Sequence, residues 1–117
     1  MRCFIGFAAQ AQDFAATNPK LVKVPFDTLK TRLLLVTIPP GATTTVHSHP
    51  SQIIYSVHGG TTLVEYEDGK KRCYINYTTV CPRSSKLRHK TTNIGKATLE
   101  FIVIEISRYV NWFILNQ

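Results

Sequence analysis

The feature that most constrains the fold is a succession of short apolar and β-branched runs, each stopped by proline or glycine, with almost no helical period. The most apolar, Leu33–Ile38 and Phe101–Ile106, have strand length rather than helix length. The run Lys30–Ile38 ends at Pro39-Pro40-Gly41, where proline cannot donate to a ladder and glycine permits the turn. Leu21–Pro25 precedes it; Thr44–His49 and Ile53–His58 follow, the last closed by Gly59-Gly60. Thr61–Tyr66 and Lys71–Tyr77 flank Asp68-Gly69, a strong short-range hairpin signal. Thr78–Cys81, Leu87–Asn93 and Ala97–Ser107 complete the series. Eight or more strands with regular turn signals predict an all-β sandwich or barrel.

Chain length bounds this architecture: 117 residues suffice for one core and not for two. Residues 1–19 read as an N-terminal arm with at most a short helical turn, and 20–117 as the domain, with its core over 21–106. The tail Arg108–Gln117 carries Tyr109, Trp112 and Phe113 and is too apolar to be left in solvent, so it is expected to pack on the barrel or on a partner subunit. Consecutive apolar positions in Leu33–Val36 and Phe101–Ile104 give both sheet faces apolar side chains. One parity fills the barrel and the other needs a cover, which predicts a homodimer.

No apolar run approaches the roughly 20 residues that span a bilayer, so no membrane partner is expected. Met1–Gln12 has a basic residue, an apolar patch and an A-x-A-like pattern, but the patch is short for a secretory signal. A cytoplasmic location is the expectation, with secretion or periplasmic export the alternative if residues 1–12 form a shortened signal peptide. Cys3, Cys73 and Cys81 are odd in number and lack C-x-x-C spacing, against a disulfide framework or zinc knuckle. They read as buried or half-buried thiols, a Cys73–Cys81 bridge across neighbouring strands remaining open.

Lys and Arg outnumber Asp and Glu by 14 to 7, and seven cations lie between Lys70 and Lys90. The excess could attract anionic small molecules, acidic polysaccharide or nucleic acid, but its plainer reading is a solvated hairpin surface. Neither an aromatic-interleaved RNA motif nor a helical DNA reader accompanies it, so nucleic acid is not an expected partner.

The chemistry-bearing residues begin at His47-Ser48-His49. Side chains two apart on an extended chain share a face, so both imidazoles can aim at one point, as a first-row metal ion requires. Gln52 lies three residues on, and His89 follows on a later strand.

In these residues the chain resembles the cupins. Their first motif is G-x5-H-x-H-x3–4-E-x6-G; here stand Gly41, five residues, His47-x-His49, two residues, Gln52, six residues and Gly59. Their second is G-x5-P-x-G-x2-H-x3-N; here stand Asn76, five residues, Pro82-x-Ser84, four residues, His89, three residues and Asn93. The match spans 21–106. Gln52 replaces the usual glutamate after a shortened loop, Ser84 replaces a glycine, and two extra residues precede His89. Asn76 replaces another glycine and is expected to keep its turn, because Asn tolerates positive φ.

The resemblance implies a jelly-roll β-barrel. If the Gln52, Ile54, Ser56 face is its lumen, His47, His49, Gln52 and His89 converge on one divalent transition metal (Zn, Ni, Fe, Mn or Cu). It implies a small polar or anionic metabolite as ligand, and an isomerase, dioxygenase or lyase among the activities. A non-catalytic binding or sensing module is an alternative, as is a metal-free acid–base enzyme using His58 or His89. His58 reads foremost as a rim or surface residue. A loop cation such as Arg83 or Lys86 would anchor a substrate carboxylate, because Arg88 and Lys90 point away from His89 by strand alternation. The tyrosines 55, 66, 74 and 77 read as strand packing, with one of them lining the pocket.

Overall fold

A computed structural model describes residues 13–76, 80–83 and 87–106. One helical turn, α1 (Phe14–Thr17), leads into eight strands: β1 (Val22–Thr28), β2 (Thr31–Ile38), β3 (Ser51–His58), β4 (Gly60–Tyr66), β5 (Lys71–Asn76), β6 (Val80–Arg83), β7 (His89–Asn93) and β8 (Leu99–Ile106). They form a five-stranded sheet in the order β1-β2-β8-β3-β6 and a three-stranded sheet in the order β5-β4-β7, with antiparallel pairing throughout. This is an all-β jelly roll: the strand pattern predicts the all-β class, and the resemblance to the cupins the jelly roll.

Parity builds the core. On β2 the alternation leaves Leu34, Val36 and Ile38 buried, and the ladder sets them opposite Val103, Phe101 and Leu99 of β8. Phe14 and Val22 close this cluster, so the residue after the helix cap belongs to the core although it falls in the segment read as an arm. Asp13 caps α1 by accepting from Ala16 N at 2.9 Å.

The opposite parity is apolar as well. Phe26, Leu33, Ile104 and Ile53 stand in register across four strands, with Leu35, Ile102 and Tyr55 in the next row but one. Leu35 and Tyr55 are each 39% exposed.

Turns fall where glycine was expected, with Gly41 at φ +80° and Gly69 at φ +87°. The β1–β2 hairpin differs. Its two central residues, Leu29 and Lys30, both lie at positive φ without a glycine or asparagine between them. β1 also runs on to Thr28 through Pro25, with an irregular register between Lys23 and Phe26 that accommodates the proline at the sheet edge.

Three other expectations are corrected. Thr44–His49 is not a continuous strand; it touches β7 through isolated bridges, Thr43 with Thr92 and His47 with His89. Side chains take part of the intervening ladder: Thr45 N donates to Asn18 Oδ1 and Thr91 N to Thr44 Oγ1, each at 2.9 Å, while Thr44 N still donates to Thr91 O at 2.9 Å. Asn76 holds no positive-φ turn: it ends β5 with its side chain donating to Gly60 O and Thr62 Oγ1. Cys73 is a free, exposed thiol on the edge strand β5, and β6, which carries Cys81, belongs to the other sheet. Cys3, residues 1–12 and the aromatic tail fall outside the described residues.

Candidate metal centre

The second motif's asparagine sets the frame. Asn93 is fully buried; its Nδ2 donates to Ile38 O and Ala97 O, each at 2.8 Å, and its Oδ1 accepts from Gly95 N at 2.9 Å. It thereby ties the end of β2 to the β7–β8 connection and places β7 beside the 41–47 segment. His47 and His89 then exchange both backbone hydrogen bonds, each at 2.9 Å, which sets their side chains next to one another.

His47, His49 and His89 each offer a ring nitrogen, all within 4.8 Å of one another. Each Nδ1 already has an oxygen acceptor: Thr45 O at 2.6 Å for His47, Glu105 Oε2 at 3.3 Å for His49 and Leu87 O at 3.1 Å for His89. A carbonyl or carboxylate oxygen only accepts, so each Nδ1 carries a proton, and in the neutral ring Nε2 keeps its lone pair. Three imidazoles are thus locked in the tautomer that a metal ion needs.

His47 is only 1% exposed. Burial first, then the neighbouring His49 and, further down, His89, push its pKa down to about 3, against weaker opposing effects of the Thr45 carbonyl and Asp13. It is a neutral imidazole at any ordinary pH. Phe14 stacks on its ring at a centroid distance of 4.3 Å and meets His49 edge-on at 5.0 Å, so α1 walls off one side of the cluster.

Gln52 lies on the lumenal face of β3 with Ile54 and Ser56, as its parity requires, and lines the same cavity as the three histidines. The residue is 8% exposed, and its Oε1 is buried without a hydrogen-bond partner. An orphaned buried amide oxygen costs about 1–3 kcal/mol, and a cation would satisfy it. The donor set therefore fits a borderline divalent metal: three neutral imidazole nitrogens and one uncommitted oxygen.

The cavity holds about 230 Å³. Ile54, Phe101 and Val103 give it apolar walls, and Ser56, Thr62, Tyr66 and Tyr74 give it neutral hydroxyls. The two tyrosine hydroxyls lie 2.9 Å apart. Tyr55 is on the outer face, and Tyr77 lies outside the described residues.

Among the described lining residues there is no Lys or Arg. Arg88 pairs with Glu67 at 2.9 Å, while Lys71 and Lys90 approach Glu65 at 3.7 and 3.9 Å, so this part of the basic stretch faces acids on the sheet surface. The side chains of Arg83 and Lys86 lie outside the described residues. His58 is exposed, absent from the cavity and bonded through Nδ1 to Thr98 O at 3.0 Å. The register shift between Ser56 and His58 carries it off the lumenal parity.

Sequence reasoning missed Glu105, Arg32 and Phe14. Glu105 is only 4% exposed and sits directly across the β3–β8 ladder from Gln52. Its signal was an acid at the inward parity of an otherwise apolar run, Phe101-Ile-Val-Ile-Glu105-Ile106.

No family model and no curated protein matches the chain by sequence. Solved structures do. A cupin domain from Bordetella pertussis superposes with a TM-score of 0.68 at 21% identity, covering 74% of this chain and 92% of that one. An RmlC-like cupin with a double-stranded β-helix fold from Methanocaldococcus jannaschii gives 0.61 at 18%, covering 83% and 85%. A predicted oxalate decarboxylase from Thermotoga maritima gives 0.51 at 28%, covering 66% and 67%. The fold is that of the cupin superfamily. Its histidine cluster stands inside the barrel, where a metal would meet the cavity. No helix among the described residues is long and apolar enough to cross a membrane.

Proposed function

We propose that this chain is a metal-dependent cupin enzyme that takes a small, oxygen-bearing substrate. His47, His49 and His89 hold one divalent transition metal through Nε2, and Gln52 supplies a weaker fourth ligand through its amide oxygen. The observation that carries this reading is the conjunction of three Nδ1-anchored imidazoles with an unpartnered amide oxygen on one cavity wall. Bound there, the metal would act as a Lewis acid on a carbonyl or carboxylate oxygen.

The protein's own residues do the rest. A cavity of about 230 Å³ admits only a small ligand. An anionic substrate would have its charge offset at least in part by the metal. Ile54, Phe101 and Val103 exclude water from the apolar part of the ligand, and the Tyr66–Tyr74 hydroxyl pair is placed to give or take a proton. The Thermotoga neighbour, a predicted oxalate decarboxylase, supports a small carboxylic acid as the substrate class and a lyase among the candidate reactions. The outer apolar rows of the five-stranded sheet support a homodimer.

The test is elemental analysis after loading with Zn, Ni and Fe. Wild type is expected to hold one equivalent, and the His47→Ala, His49→Ala double variant only traces. Equal traces in both would overturn the metal reading. A thermal-shift screen of small acids on the loaded protein, followed by a turnover assay of each hit, separates an enzyme from a binding module.

A further inference from the structure

Glu105 is the buried carboxylate nearest the cluster, and nothing in the motif resemblance provides for it. It sits on β8 opposite Gln52 of β3 on one side and opposite Arg32 of β2 on the other. Both of its oxygens are committed. Oε1 accepts from Arg32 Nε at 2.9 Å and from a second guanidinium nitrogen, while Oε2 faces His49 Nδ1 at 3.3 Å. Arg32 is held in turn by Asp13, which accepts from it at 2.6 and 3.1 Å and also caps α1. Asp13 further bridges to Ser48, the residue between the two histidines of the first motif.

We propose that Glu105 is the positioning carboxylate of this centre: it holds His49 as the Nδ1–H tautomer and so presents the Nε2 lone pair to the metal, with Arg32 and Asp13 fixing the carboxylate. The inference rests on the metal reading above. Among the described contacts, His49 takes its Nδ1 acceptor from a side chain, whereas Thr45 and Leu87 supply main-chain carbonyls to His47 and His89. Its orientation is therefore the one that a distant substitution can undo.

The test pairs a metal titration with imidazole nitrogen NMR of the metal-free protein. In wild type, His49 is expected as the Nδ1–H tautomer. In Glu105→Gln, Arg32 retains the amide oxygen, the amide NH2 faces His49, and the ring is expected to switch to Nε2–H. The zinc dissociation constant should then rise by about 10- to 100-fold. Glu105→Asp, which keeps the charge on a shorter arm, should recover part of that loss.

Because the effect runs through His49, Glu105→Gln should cost a similar factor in a His89→Gln background and almost nothing in a His49→Gln background. A loss that persists without His49 would mean direct ligation or bulk charge and would overturn the proposal, as would a His49 tautomer indifferent to residue 105. If Glu105→Gln fails to fold, the Arg32→Met, Glu105→Gln double variant removes both charges of the pair and takes the same measurements. Wild type that holds no zinc sinks the functional reading, whereas an unchanged tautomer in the variant sinks this inference alone.

Discussion

Gln52 and Glu105 face each other across the β3–β8 ladder, which decides what a carboxylate at position 52 would do. In the metal-free protein, a glutamate there would stand unpaired beside a buried acid of the same charge. Like charges and desolvation both oppose it, so the Gln52→Glu variant should melt lower than wild type in the presence of a chelator. With metal bound, the new charge is attracted to the cation. At about 4 Å a unit negative charge and a divalent cation attract by about 8 kcal/mol where the effective dielectric constant is about 20. Desolvation and the repulsion from Glu105 consume most of that. A net gain of about 1.4 kcal/mol corresponds to a tenfold tighter zinc constant. Competition with a chelator checks the affinity, and paired melts with and without metal check the trade. A variant that binds no tighter and melts no lower would place Gln52 away from the metal.

Among the elements, the β1–β2 hairpin is the least predictable from its residues. A two-residue connection with positive φ at both positions calls for Asn-Gly, and this chain spends Leu29-Lys30 there. Left-handed backbone costs an ordinary side chain about 1–2 kcal/mol per residue. Leu29→Asn with Lys30→Gly should therefore stabilise the fold by about 1 kcal/mol, after the extra freedom glycine has in the unfolded chain is subtracted. A higher denaturant midpoint at unchanged slope is the expected reading.

The same hairpin marks where sequence legibility ends. Apolar parity and Pro/Gly punctuation place most strands, because the period-2 pattern is local. The H-x-H pair and the distant His89 are visible for the same reason: motif spacing is one-dimensional. Thr44–His49 reads as a strand because its residues are β-branched, yet Asn18 and Thr44 side chains take some of its ladder bonds and leave isolated bridges. Glu105 shows locally only as an acid at an inward position, and both it and Phe14 matter through residues distant in the chain, His49 and His47, which no local pattern names.

At the scale of the whole molecule, the five-stranded sheet carries two apolar layers and only one core. Leu34, Val36 and Val103 point inward, whereas Leu35, Ile102 and Tyr55 form a row across three adjacent strands on the outside, with Leu33, Ile104 and Ile53 beside it. Scattered exposed hydrophobics are ordinary, but aligned apolar rows on one sheet face are what a self-complementary interface would use. A stable dimer needs about 800 Å² from each partner, which a five-stranded face can supply. Leu35→Lys separates the two ways in which such a face is used. On a monomer, a lysine at a position already 39% exposed should change stability by no more than about 0.5 kcal/mol. In a dimer it places a charge, and its symmetry mate, in the interface. Light scattering at tens of micromolar is expected to give twice the chain mass for wild type and a shift toward one chain for Leu35→Lys. The melting temperature of wild type, not of the variant, should rise with protein concentration, because association stabilises only the folded state. A wild type that scatters as a single chain, with a melting point independent of concentration, would overturn the dimer and leave the face to be covered from within the chain.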